Sequence, residues 1–130
     1  MKIAVTSKSN NLESEIDPRF GRCSYFIIVD IDTMGFESIS NESSMASGGA
    51  GIQAAQTVAK AGVEVVVTGN MGPNAFQTFS AAGIKVFTEA DGTVKESIEK
   101  YKKGELKETE SANVGSHSGM KAKSRGFGRG

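Results

Sequence analysis

The chain has a single cysteine, Cys23, so no internal disulfide can form, and stability must come from a packed core. A lone thiol in 130 residues suits a reducing compartment, and a cytoplasmic location is the expectation. The start, MKIAVTS, has neither the long apolar segment nor the small-residue cleavage site of an export signal. Nowhere does the sequence approach the roughly 20 consecutive apolar residues that span a bilayer. It also lacks net charge: 15 Lys and Arg balance 15 Asp and Glu, which favours neither nucleic acid nor an acidic partner. There is no phosphate-binding lysine motif, no serine elbow, no paired histidine ligands and no internal repeat.

The charges that are present are unevenly placed. Every acid lies at or before Glu110, whereas Lys121, Lys123, Arg125 and Arg129 crowd the last ten residues. A mildly acidic body therefore precedes a tail of charge +4. From Gly104 onward apolar residues are scarce, and SHSGMKAKSRGFGRG has the glycine, serine and charge bias of a flexible segment. One α/β domain over residues 1–103 and a basic tail over 104–130 are expected. At this length a single domain can remove more than half of its unfolded surface from water.

Patterning within the domain predicts five strands and three helices. Lys2 to Ser7 is a short β-branched run, followed by a long polar loop through SKSNNLESEIDPRFGR. Tyr25 to Ile31 is nearly continuously apolar, as in a strand buried on both faces, and Asp32 to Gly35 turns it into a third strand over Phe36 to Ser40. Ile52, Ala55, Val58 and Ala59 fall at helical spacing between Gly51 and Ala61, and Gly62 stops that helix. Val63 to Thr68 reads as a buried strand. Pro73 opens a second helix with an apolar stripe of Ala75, Phe76, Phe79 and Ala82. Ile84 to Phe87 is the last strand, and Asp91-Gly92 leads into a helix that buries Val94, Ile98 and Tyr101.

Right-handed crossovers place the strands in the order 3-2-1-4-5 with strand 2 antiparallel, a mixed five-stranded ribonuclease-H-like arrangement. Strands 1, 3 and 4 then deliver three loops to one edge: DPRFGRC, SGGAG and GNMGPN. Two of them run into helix N-termini, whose N–H groups and dipole attract anions, and the third supplies arginines that hydrogen-bond an anionic surface. The candidate site is Arg19, Phe20, Gly21, Arg22 and Cys23 from the first loop, Gly48, Gly49 and Gly51 from the second, and Gly69, Asn70, Gly72 and Asn74 from the third. Cys23 is its soft metal ligand, with His117 in the tail as an imidazole and Met45 and Met71 as weaker thioethers. Structural roles compete with each of these: glycines start helices for steric reasons, Cys23 opens a buried strand, and Arg19 and Arg22 have Asp17 and Glu15 nearby.

Other functions fit less well. GGAGIQA matches G-x-G-x-x-A through Gly49, Gly51 and Ala54, but no strand immediately precedes it and no carboxylate ends the next strand, as a dinucleotide site requires. Asp30 and Asp32 lie at the opposite edge, so they close the hairpin and form no nuclease centre. A nucleotide or small-anion regulatory module could use the same helix N-termini, and Arg125, Phe127 and Arg129 could bind single-stranded nucleic acid.

The segments DPRFGRCSYFIIVD, GGAGIQAAQTVAKAGVEVVVTGNMGPNAF and AAGIKVF resemble, in order and spacing over about residues 1 to 103, the dinitrogenase iron-molybdenum cofactor biosynthesis family. That family includes NifX- and NafY-like carriers and the C-terminal domain of NifB-like proteins. The resemblance implies a non-catalytic carrier or storage protein for an iron-sulfur cluster or iron-molybdenum cofactor precursor. A cofactor-assembly or acceptor protein is the implied partner. Where some members have His before Phe-Gly this chain has Arg19, so no imidazole ligand carries over to that loop. The tail's four positive charges could hold an anionic cluster without a fixed ligand set.

Overall fold

The structure, a computed structural model, describes residues 1–41 and 49–110. Three strands come first: β1 (Lys2–Ser7), β2 (Tyr25–Asp30) and β3 (Phe36–Ser40). They form an antiparallel meander in which Val5 faces Ile27 and Ile28 faces Glu37. A 3-10 turn at Phe20–Arg22 precedes β2. Helix α1 (Ala50–Lys60), β4 (Val65–Val67), α2 (Pro73–Ala81), β5 (Lys85–Phe87) and α3 (Val94–Lys102) follow. β4 joins β1 in parallel, with Ala4 opposite Val66, and β5 joins β4 in parallel. The order 3-2-1-4-5 and the antiparallel β2 are as expected from the sequence.

A sixth strand, β6 (Glu108–Thr109), corrects the five-stranded expectation. It pairs antiparallel with β5, Phe87 opposite Glu108, and the Thr109 hydroxyl accepts from the Thr88 N–H at 3.1 Å and touches the Thr88 hydroxyl. Glu108 and Thr109, assigned above to the tail, thus pair at the sheet edge, and Leu106 packs on the core. The remainder of the tail, with His117, lies outside the described residues, as do Gly48 and Met45.

Alternation along the central strands divides the core between the two faces of the sheet. Ala4, Phe26, Ile28, Val66 and Val86 face α1 and α2. Ile3, Val5, Ile27, Val29, Val65 and Val67 face α3. The buried face of α1 is Ala50, Ala54, Ala55 and Val58, whereas Ile52 is exposed. On α2, Ala75 and Phe79 are buried and Ala82 is exposed. The α1 stripe differs from the expected one because α1 packs closely on α2 and on the 3-10 turn, and Ala82 lies past the end of α2 as its C-cap. A close interface admits alanine and turns the branched Ile52 outward.

Among the described residues no helix is long and apolar enough to cross a membrane. At the lower edge, the Asp30 carboxylate accepts from the Asp32 N–H (2.9 Å) and the Met1 ammonium pairs with Asp32 (3.1 Å). These two acids close the hairpin.

Candidate functional site

The C-terminal ends of β1, β3 and β4 point to one edge of the sheet. There the loop from Asp17 to Cys23 forms a strap across the α1–α2 layer. Beside β4, the Asn70 N–H donates to the Pro18 carbonyl (2.7 Å) and the Phe20 N–H donates to the Asn70 carbonyl (3.3 Å). A Cβ on Gly69 would lie 2.7 Å from the Pro18 Cα, so only glycine lets the two backbones approach this far. Over α1, a Cβ on Gly21 would lie 3.1 Å from the Gly51 Cα and 3.2 Å from its nitrogen. These two glycines admit another part of the same chain.

Arg19 and Arg22 are both exposed. The Arg19 Nε donates to the Asp17 carboxylate at 3.3 Å, and the Arg19 N–H donates to the same oxygen at 3.0 Å. Asp17 is buried, and this hydrogen-bonded pairing holds the Arg19 guanidinium above its ordinary pKa. The Asp17 carbonyl in turn accepts from Thr6 at 2.7 Å, which anchors the strap to β1.

Phe20 is part of the core: it is 2% exposed and stacks edge-on against Phe79, with centroids 5.3 Å apart. Cys23 is fully buried, and its thiol donates to the Phe20 carbonyl at 3.3 Å. Burial, reinforced by the Asp17 charge, pushes the thiol pKa up to about 12. A neutral thiol is a poor nucleophile and a poor metal ligand. Met71 is also buried. Among the described residues no three His, Cys, Asp or Glu side chains gather where they could hold a metal ion.

Among the described residues, the part of this edge left uncovered is the mouth shared by two helices. The N-caps are Gly49, whose φ of +70° favours glycine, and Gly72, and neither has a side chain that could accept from first-turn N–H groups. No acid lies in either first turn. The two turns meet: a Cβ on Gly51 would lie 3.8 Å from the Ala75 Cβ. The strap takes the Gly51 flank, and from first-turn residues Ile52 and Asn74 a groove of about 590 Å3 runs along α2 past Gln77, Thr78, Ser80 and Ala81. All of its lining is uncharged.

Helix α3 is built in the opposite way. Thr93 and Glu96 form a reciprocal capping box (2.8 and 3.1 Å), and the Val94 and Lys95 N–H groups donate to the carbonyls of Ser14 and Leu12. Among the described residues, side-chain and carbonyl acceptors thus close the α3 N-terminus, whereas α1 and α2 start on glycine caps.

The family described as dinitrogenase iron-molybdenum cofactor matches residues 1–104. The chain belongs to this family. It is 33% identical to a protein of Methanocaldococcus jannaschii over 113 residues, 85% of this chain and 92% of that one. The apo form of the orange protein from Desulfovibrio gigas is similar, with 42% identity, a TM-score of 0.84 and coverage of 86% of this chain and 95% of that one. A Thermotoga protein named for NifB has 37% identity and a TM-score of 0.73, covering 82% and 91%.

Sequence reasoning missed Asn41. This buried residue follows β3, and its side-chain amide donates to the Cys23 carbonyl (2.9 Å) and the Gly21 carbonyl (3.2 Å). The only signal was an asparagine at the end of a strand, which ordinarily reads as a turn residue.

Proposed function

We propose that this protein is a non-catalytic carrier or storage protein for an anionic metal-sulfur cargo, an iron-sulfur cluster or an iron-molybdenum cofactor precursor. The observation that carries the proposal is the pair of glycine-capped helix N-termini meeting under the strap, in a chain of the dinitrogenase iron-molybdenum cofactor family. Main-chain N–H groups and helix dipoles favour an anion, and Arg22 and Arg19 flank the edge. The similar orange protein is described in an apo form, a term that presupposes a bound group in that protein. The candidate residues of this site are Gly49, Gly51, Gly72, Asn74, Arg19 and Arg22. Gly21, Gly69, Asn70 and Phe20 shape the strap behind them.

Holding the cargo through charge and N–H donors requires no thiolate, in keeping with the buried neutral Cys23. The 3-2-1-4-5 strand order supports a ribonuclease-H-like kinship, which carries no nuclease function with it. The setting is cytoplasmic, and the partner is an assembly or acceptor protein.

Anaerobic incubation with iron and sulfide, with and without molybdate, tests the proposal. Bound metal and visible absorption should survive gel filtration and persist in Cys23→Ala. Absence of both from the wild type would sink the carrier function for this cargo. Thermal stabilisation by nucleotides or phosphate alone would instead favour a regulatory anion site, since a ligand at 100 times its Kd adds about 2.7 kcal/mol.

A further inference from the structure

We propose that Asn41 is a positioning residue for the cargo edge: it holds the Gly21–Cys23 turn over the α1 N-terminus with the Gly21 and Cys23 carbonyl groups engaged by its amide. The inference rests on the site proposed above and concerns how that site acquires its sign. A turn laid across a helix N-terminus presents both N–H and C=O groups. Carbonyl oxygens at the mouth would repel an anion and compete for the helix N–H groups. Here the Gly21 and Cys23 carbonyls are both engaged by one amide nitrogen, at 3.2 and 2.9 Å, on a side chain only 6% exposed.

The placement is specific to this edge. Asn41 directly follows β3, and its own N–H donates to the Ser24 carbonyl at 2.9 Å. One residue therefore joins the end of β3, the start of β2 and the strap. The same amide lies 3.9 Å from the Cys23 sulfur, beneath the turn. Gly21, held in this way, fits against Gly51 so closely that a Cβ would lie 3.1 Å from the Gly51 Cα. Loss of the amide would release the two carbonyls and uncover Cys23, the chain's only cysteine.

That thiol makes the test direct. Labelling of Cys23 by an aromatic disulfide at pH 8 is compared in the wild type, in Asn41→Ala and in Val86→Ala, a truncation on β5 in the same core cluster that removes no hydrogen bond. The same three proteins are loaded anaerobically with iron and sulfide, and their urea midpoints are measured. Asn41→Ala should label about tenfold faster than Val86→Ala after correction for global stability, the size expected for losing a buried pair of hydrogen bonds. It should also retain less metal than Val86→Ala.

Equal corrected labelling rates would overturn the assignment of Asn41. Faster labelling with undiminished loading would overturn its link to the cargo. A wild type that takes up no iron would overturn the carrier function instead, and the labelling comparison would still decide whether Asn41 holds the strap. Should Asn41→Ala fail to fold, Asn41→Ser makes the same comparison with the amide removed and a smaller polar group retained.

Discussion

Phe20 and Cys23 sit in a loop rich in charge and glycine, yet both side chains are buried. A phenylalanine between two arginines in a polar stretch looks like a surface contact residue, and only the third dimension shows Phe79 and Phe26 waiting for its ring, at 5.3 and 5.5 Å. Phe20→Ala should therefore cost about 3–5 kcal/mol in urea unfolding. A wall residue of an open pocket would leave that midpoint nearly unchanged. Cys23 makes a prediction about pH. Its folded pKa of about 12 lies above the ordinary 9.0, so the folded state keeps a proton that the unfolded state loses. The resulting stability is fully present below pH 9 and declines as pH rises toward 12, at up to about 1.4 kcal/mol per unit. Urea midpoints at pH 8 and pH 10.5 should diverge in the wild type more than in Cys23→Ala. Glycines 21 and 69 teach a related lesson. The sequence offered both as candidate site residues; that Gly51 and Pro18 are the groups that approach them was not legible, since neither is near in sequence.

The strands and helices were legible wherever period and punctuation agreed. β1, β3 and the starts of α2 and α3 fall where the β-branched run, the Asp32–Gly35 turn, Pro73 and Asp91-Gly92 place them. Two elements escaped for different physical reasons. The β6 pair Glu108–Thr109 is too short for any period and owes its place to Thr88 and the free edge of β5. The burial stripe of α1 was misjudged because hydrophobicity ranks isoleucine above alanine, whereas helix contact distance reverses the order. The contrast among helix starts is testable here. Thr93→Ala removes one half of a capping box and should lower stability by about 1 kcal/mol, read from the thermal midpoint. Metal loading at the opposite helices should be unchanged by it. A loading defect in Thr93→Ala matching that of a strap variant would argue against a localised site.

At the scale of the whole molecule, the body and the tail differ in sign, and the edge that gathers the helix N-termini carries Arg19 and Arg22. If attraction at this edge is electrostatic, retention of an anionic cargo should weaken steeply between low salt and 0.5 M NaCl, where the screening length falls to a few ångströms. Retention of metal after desalting at the two ionic strengths measures this, and a salt-independent yield would point to direct coordination. The convergence of three loops followed from strand order alone, and the Asp17–Arg19 pair was one of the pairings the sequence offered; the Asn41 bridge was not legible, because side-chain pairing across a sheet edge has no sequence period.

The parallel junction of β1 with β4 brings Ile3 opposite Val65. The hairpins of β1, β2 and β3 can form from neighbouring chain, but this pairing closes a loop of about 60 residues, and such steps are slow. Until that junction closes, the strap has no helix to lie on and α1 and α2 have no shared mouth. On the proposed carrier function, a nascent or partly unfolded chain would thus have no receptor for a cluster, and unfolding of the parallel half would release one at a stroke.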